Sequence, residues 1–431
     1  MSPNSPGDLT PESATPGSTA HPPVKNLGWL VTLAGMGINL ALGVLYSWSV
    51  VSKKIPADWN WTEADRSMPY SVACLVFSLV MVPAGRMQDR IGPRVVATLG
   101  GILVGAGMIL ASLTNSPLSY IIGFGLLAGS GFACGYASTT PPAVKWFPAA
   151  RTGAIAGIVV AGFGLASVYV APLAEALINA NGVPSTMFWL GIGFLVVVVG
   201  LSQLLKAPPA GYIPTGTLAA VPGAPVKKEN FTPGEILATW QFYVLWFMYV
   251  CGAGAGLMII SKLAKMVDVQ AGLKLGYLLV ACLAVGNGAG RIIAGTVSDK
   301  IGRLLTLFIC FVLQAVLVML LSQAKTGSVL GTTPVLVVLS ALIGANYGAN
   351  LALFPSITKD YYGLKNFGVN YGLIFTAWGL GGFSLSLLAG KVYDATKTFT
   401  FAYYCSAGLL VAAALVTFLV KPPHHQAADE A

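Results

Sequence analysis

Twelve stretches of predominantly apolar residues, each near the 20 or so that a helix needs to cross a bilayer, constrain this chain more than any other feature. In hydrocarbon the backbone must satisfy its own hydrogen bonds, and a helix does so within each segment. The expected spans are 28–51, 67–87, 95–114, 118–140, 153–178, 186–206, 240–263, 272–297, 303–323, 333–355, 367–390 and 400–420. Composition agrees: 55% of residues are apolar and 9% charged, against about 25% charged in soluble domains. The fold class expected is an all-α, polytopic membrane protein of 12 transmembrane helices.

The longest polar interruption, residues 207–234, is rich in Pro and Gly and reads as a linker. The expected organisation is a disordered cytoplasmic tail over 1–26, a six-helix bundle over 27–206, the linker over 207–234, a second six-helix bundle over 235–421 and a tail over 422–431. Residues 1–26 are rich in Pro, Ser, Thr and Gly without an apolar core, so they do not read as a cleaved signal. Cys74, Cys134, Cys251, Cys282, Cys310 and Cys405 all fall inside apolar runs with no paired spacing, which suits small core residues better than a disulfide framework or a metal site. His21, His424 and His425 lie in the tails, so imidazole has no place in a proton relay within the spans. No cofactor or metal is expected.

The two halves echo each other. After the second span the chain reads Gly85-Arg86-Met87-Gln88-Asp89-Arg90-Ile91-Gly92-Pro93-Arg94, and after the eighth Gly295-Thr296-Val297-Ser298-Asp299-Lys300-Ile301-Gly302-Arg303. A tight charged turn explains one copy of G-x-x-x-D-(R/K)-I-G; two copies at matching positions indicate a duplicated 6 + 6 architecture. A weaker echo pairs Lys145-Trp146-Phe147-Pro148, Arg151 and Gly153 with Lys359-Asp360-Tyr361-Tyr362, Lys365 and Gly368. Fourteen Lys and Arg fall in the even-numbered loops and tails against nine in the odd-numbered loops, which places both termini in the cytoplasm of an inner-membrane protein. The net charge of +9 is thus an orientation signal, and no nucleic-acid partner is expected.

These paired loops resemble the signature of the major facilitator superfamily, between helices 2 and 3 and again between 8 and 9. The resemblance implies two pseudo-symmetric six-helix bundles and alternating access, with Asp89, Arg90, Asp299 and Lys300 as gating residues. Within the superfamily, GVLYSWSV (43–50), GYASTTPPAVKWFP (135–148), LATWQFYVLW (237–246), GNGAGR (286–291), NYGANLALFPSI (346–357) and NFGVNYGLIFTAWG (366–379) resemble the oxalate/formate antiporter group and the proton-coupled monocarboxylate transporters. In both, an arginine on helix 8 pairs with the substrate carboxylate, and Arg291 occupies that place. The antiporter adds a lysine on helix 11, where this chain has Trp378. Mammalian monocarboxylate transporters carry an aspartate four residues before the arginine and a lysine in helix 1; here Asn287 replaces the first, and Lys53 and Lys54 stand only at the end of helix 1.

Charge balance points independently to Arg291, the Arg or Lys that falls in the middle of an apolar stretch. A guanidinium stays protonated in proteins, and an arginine at the centre of a span costs about 2.5–3.5 kcal/mol. All acids except Glu175 are assigned to tails or to loops and their edges, and Glu175 stands near the outer end of the fifth span, so no protein counter-ion is expected at mid-membrane depth. A small carboxylate suits the planar fork of the guanidinium. Carbonyls at a helix break, or snorkelling toward Asp299, would also accommodate the charge.

Asn287, one turn from Arg291, shares its face. Tyr46, Tyr136 and Tyr347 fall mid-span and match cavity tyrosines of the antiporter group, with Tyr70 and Tyr169 of second rank; packing or an interfacial belt explains such tyrosines too. Asn346 and Asn350 flank Tyr347 and suit either substrate hydroxyls or neighbouring helices. One fixed cation opposite an indole suits a short monocarboxylate such as lactate or pyruvate. The expected function is proton symport by a monomer in lipid, with carboxylate exchange as the alternative. An enzyme is not expected, since the spans hold no His, Cys/His or paired-carboxylate constellation, and no channel-type charged ring is visible.

Overall fold

The computed structural model describes residues 26–148, 151–209, 212, 230–363 and 366–423, with no side-chain placement for 152–154. The echo residue Lys365, all three histidines, nearly all of both tails and most of the expected linker lie outside them. Among the described residues every regular element is helical. The spans are α1 Gly28–Lys53, α2 Glu63–Ile91, α3 Pro93–Ser112, α4 Pro117–Val144, the continuous segment Ile155–Ser202, α7 Trp240–Ala271, α8 Gly276–Ile301, α9 Arg303–Ser322, α10 Thr333–Tyr362, α11 Phe367–Thr396 and α12 Thr400–Thr417.

Ile155–Ser202 runs for 48 residues, about 72 Å if helical throughout, more than twice the roughly 30 Å of a hydrocarbon core. The helix breaks inside it at Gly182, where φ is 77° and ψ 172°. It therefore holds two crossings, α5 before Gly182 and α6 after it, joined by one residue where the sequence suggested a loop of several. The long apolar side chains that face outward, such as Ile292, Ile293, Val316 and Leu415, give the protein the apolar exterior that lipid requires.

Backbone geometry bears out the duplication. Gly92 ends α2 at φ 89°, ψ 157°, and Gly302 ends α8 at φ 94°, ψ 152°, and in each case the next residue begins the following helix. A positive φ of this size suits a residue without Cβ, so both copies of the motif need Gly at the same place. The expected linker ends earlier than residue 234. A short helix, Pro233–Ala238, begins inside it, with Thr232 and Glu235 forming a reciprocal capping box.

The bundles meet along α2 and α11, along α5 and α8, and where the end of α1 meets α7. Within the second bundle α8 and α10 are in backbone contact. A Cβ on Gly286 or Gly290 would lie 1.9 or 2.0 Å from the carbonyl oxygens of Ala341 and Ala345, and one on Gly344 or Gly348 would lie 2.0 or 2.1 Å from those of Leu283 and Asn287. Two small-xxx-small faces interlock, which lets main chains pack without side chains between them. This contact fixes the part of α8 that carries Asn287 and Arg291.

One expectation about charge needs correction. α7 continues to Ala271, beyond the expected end at 263, so Lys262 and Lys265 are helical and not loop residues. Lys262 is 2% exposed and Glu63, expected at a loop edge, is 5% exposed. Arg291 is thus not the only buried cation, although Lys262 differs in having a carboxylate against it at 3.3 Å.

Candidate functional site

Between the bundles lies a small cavity, with room for about one water, lined by Tyr46 of α1, Phe77 of α2, Tyr136 of α4, Phe163 of α5, Arg291 of α8, Leu351 of α10, and Phe375 and Trp378 of α11. Four residues expected at the site, Tyr46, Tyr136, Arg291 and Trp378, therefore share one wall system. Arg291 lies 15 residues from Gly276 and ten from Ile301, about 22 and 15 Å from the two ends of α8. Its head group has not snorkelled. Nη1 donates to the Val160 carbonyl of α5 at 3.0 Å, and Nε donates to Asn287 Oδ1 at 3.2 Å.

Two of the five guanidinium N–H groups are so used, and the head group also interacts with Tyr136 and lines the cavity. Bonds to a charged group contribute about 1.5–3 kcal/mol each, comparable with the insertion cost of the charge. The protein itself thus holds the arginine in place, and a substrate carboxylate is not needed for that purpose. No carboxylate lies within ion-pairing distance of Arg291 among the described residues: Glu175 pairs with Lys54 at 2.9 Å, and Asp299 with Arg303 at 2.6 Å. Asn287 is fully buried and its Nδ2 donor has no partner, a costly state that an acceptor beside the arginine would relieve.

Gly164 of α5 makes room for the head group, because a Cβ there would stand 3.2 Å from Arg291 Nη2 and 3.4 Å from Cζ. No sequence pattern singled out this glycine. Gly164→Val is expected to lower transport on the order of 100-fold by displacing the guanidinium by about 1 Å, while detergent-solubilised protein keeps a wild-type elution profile. Wild-type transport by this variant would show that the position of the guanidinium is not decisive.

The remaining walls are aromatic. Tyr46 stands where α1 tightens into a 3₁₀ stretch, Gly43–Ser47, pressed against α5 at Phe163. Its hydroxyl meets Tyr347 Oη at 2.7 Å, and Trp378 Nε1 donates to the same Tyr347 oxygen at 2.8 Å. Tyr347 is therefore one bond behind the wall, joining the two bundles on the side of the odd-numbered loops. Trp378 stacks on Phe375 at 5.0 Å and meets Phe77 edge-on at 5.3 Å, so with its one N–H occupied it presents an apolar face. Phe77 and Phe163, which sequence reasoning missed, bridge Tyr136 at 5.6 and 5.5 Å and complete the box.

Other expected residues lie elsewhere. Asn346 and Asn350 each donate to the carbonyl four residues earlier in α10, and neither lines the cavity. Tyr70 is fully buried behind the wall. Tyr169 faces a lipid-side groove between α1, α5 and α6 and bonds the Leu40 carbonyl at 3.0 Å. Asp89, Arg90, Asp299 and Lys300 are exposed, and among the described residues none of them makes a hydrogen bond or ion pair to the opposite bundle. Beyond Arg291 and Val160 toward the even-numbered loops, no hydrogen bond or ion pair crosses between the bundles among the described residues.

Comparison with known proteins decides the family. The model of the Major Facilitator Superfamily matches residues 27–280 and 270–431. The chain belongs to the major facilitator superfamily. Among its superfamily relatives, it is 28% identical to the oxalate:formate antiporter of Oxalobacter formigenes over 82% of this chain and 81% of that one. It is 24% identical to human monocarboxylate transporter 11, covering 94% and 86%, and 26% identical to an uncharacterised MFS-type transporter, YhjX, of Escherichia coli, covering 82% and 85%. A solved structure of a bacterial homologue of the human lysosomal transporter Spinster aligns at TM-score 0.65 and 16% identity over 92% of this chain and 97% of that one, which establishes the shared superfamily fold.

Proposed function

We propose that this superfamily member is a secondary transporter of small monocarboxylates, with Arg291 as the carboxylate clamp. One observation carries the reading: the cavity between the bundles contains a single cation, unmatched by any described carboxylate, facing aromatic and aliphatic walls. Where a second cation would be needed for a dicarboxylate, Trp378 turns an apolar face inward. A short aliphatic body of the lactate or pyruvate type fits such walls, and the free Nδ2 of Asn287 and the hydroxyls of Tyr46 and Tyr136 supply polar contacts. Tyr347 orients Tyr46, while Asn346 and Asn350 keep their roles within α10. Asp89, Arg90, Asp299 and Lys300 would act on the even-loop face, when that face closes. The loop charges favour an inner-membrane protein with both termini in the cytoplasm.

For uptake, proton symport is the energetically favoured mode, since a monoanion entering a cell is opposed by about 2.3 kcal/mol per 100 mV and an accompanying proton cancels that charge. Exchange has its own support. No carboxylate or imidazole lines the cavity among the described residues, and Asn287 cannot hold a proton in place of an aspartate. Proteoliposome uptake at clamped voltage separates the two: an inward pH gradient alone drives accumulation under symport, whereas exchange requires carboxylate inside the vesicle. Counterflow of labelled lactate, pyruvate, formate and oxalate tests the substrate class, and oxalate preferred over all three monocarboxylates would overturn it.

A further inference from the structure

On the face of the odd-numbered loops the bundles are joined by charges that the carboxylate site does not use. The centre is Glu63, the first residue of α2. Its Oε1 meets Lys265 Nζ at 2.5 Å and Arg66 Nε at 3.3 Å, and its Oε2 meets Lys262 Nζ at 3.3 Å. Lys262 also donates to the Glu63 carbonyl at 3.3 Å. Both lysines belong to α7 in the opposite bundle, and each takes its own carboxylate oxygen.

The opposite bundle also caps α2. The first backbone N–H groups of a helix have no partner within it. Here Glu63 N and Ala64 N donate to Asp394 of α11 at 2.8 and 2.9 Å, across the bundle interface. Only the third, Asp65 N, is satisfied locally, by Thr62 Oγ1 at 3.1 Å. Lys53 at the end of α1 meets Asp268 near the end of α7 at 3.3 Å, a further tie on the same face.

Every one of these ties has one partner in each bundle, except the local pairs Glu63–Arg66 and Asp65–Thr62. Opening this face separates them together. Lys262 is the member that decides the cost, because a buried ammonium needs an adjacent carboxylate and Glu63 is the one within 4 Å among the described residues. The rim is already wet, with side-chain exposures of 24% for Lys265 and 35% for Asp268. Water can therefore take over the charges once the bundles part, which suits a contact that forms and breaks repeatedly.

We propose that Glu63 is the lock of the odd-loop gate: its one carboxylate neutralises two α7 lysines across the interface, and this pairing sets the ratio between the state closed on this face and the state open on it. The lock acts on the conformational equilibrium of the transporter whatever anion Arg291 selects. Its test needs no substrate.

Cysteines placed at Thr114 and Val329, exposed loop positions of opposite bundles on this face, would carry spin labels in full-length protein whose six native cysteines are replaced. Double electron–electron resonance in nanodiscs then reads the gate. Glu63→Gln is expected to raise the longer-distance, open population relative to the closed one by about tenfold or more. Lys262→Met, which removes the buried cation and leaves Glu63 with Arg66 and Lys265, should shift it in the same direction. The charge exchange Glu63→Lys with Lys262→Glu should return the distribution toward wild type, whereas Glu63→Lys alone should open the gate. Unchanged distances in Glu63→Gln and Lys262→Met, or no recovery in a folded exchange variant, would overturn the lock.

Discussion

Arg291→Lys is expected to lower counterflow of the transported monocarboxylate by roughly 30- to 150-fold, the equivalent of about 2–3 kcal/mol for a lost charge-assisted pair. The charge is conserved, so the effect isolates geometry. Arg291 spends Nε on Asn287 and Nη1 on the Val160 carbonyl while its guanidinium still lines the cavity. An ammonium is a compact point charge with three donors and cannot make both protein bonds while also offering two parallel bonds to a carboxylate. The measurement is counterflow by purified protein at matched reconstitution, with elution profile and melting temperature as folding controls. Transport at the wild-type rate by the lysine variant would eliminate bidentate pairing as the basis of recognition.

Gly290→Ala is expected to cost about 3 kcal/mol of stability, the upper end for inserting atoms into a packed interior. Its Cβ would stand 2.0 Å from the Ala345 carbonyl oxygen, well inside contact distance. The obstacle is main chain, so no rotamer change relieves it, and α8 and α10 must separate by more than 1 Å. Because Arg291 follows Gly290 directly, transport should fall with stability. Gly295→Ala on the same helix is the control, since nothing lies within 4 Å of a Cβ there. Thermal unfolding in detergent should show a large drop for the first variant and none for the second; equal melting temperatures would mean that the α8–α10 contact is not what holds this region.

Much of the architecture was legible because it depends on local properties of the chain. Length and apolarity of each stretch set the crossings, and a repeated motif set the duplication, down to the matching backbone angles of Gly92 and Gly302. The α5–α6 connection at Gly182 was misjudged because a single residue reverses no hydropathy pattern. Arg291, Tyr46, Tyr136 and Trp378 were recognisable as unusual polar or large residues within spans and in a family pattern. Phe77, Phe163 and Gly164 were not, since apolar residues in an apolar helix carry no mark of the face they occupy. Asn346 and Asn350 looked available in the sequence, yet their amides are taken by carbonyls one turn back.

By itself the sequence determined that this chain crosses a membrane as two related bundles and that one span carries an arginine with no acid in reach. These follow from hydropathy, from the repeated loop motif and from counting charges along the chain. Only the tertiary structure decided which buried charges are neutralised inside the protein. Glu63 and Lys262 are 199 residues apart, and no spacing rule links them; the packing of α2 against the opposite bundle brings them together. The same packing gives Arg291 the Val160 carbonyl and the Asn287 amide oxygen as partners and, among the described residues, no carboxylate, because pairing depends on which helices meet and at what depth.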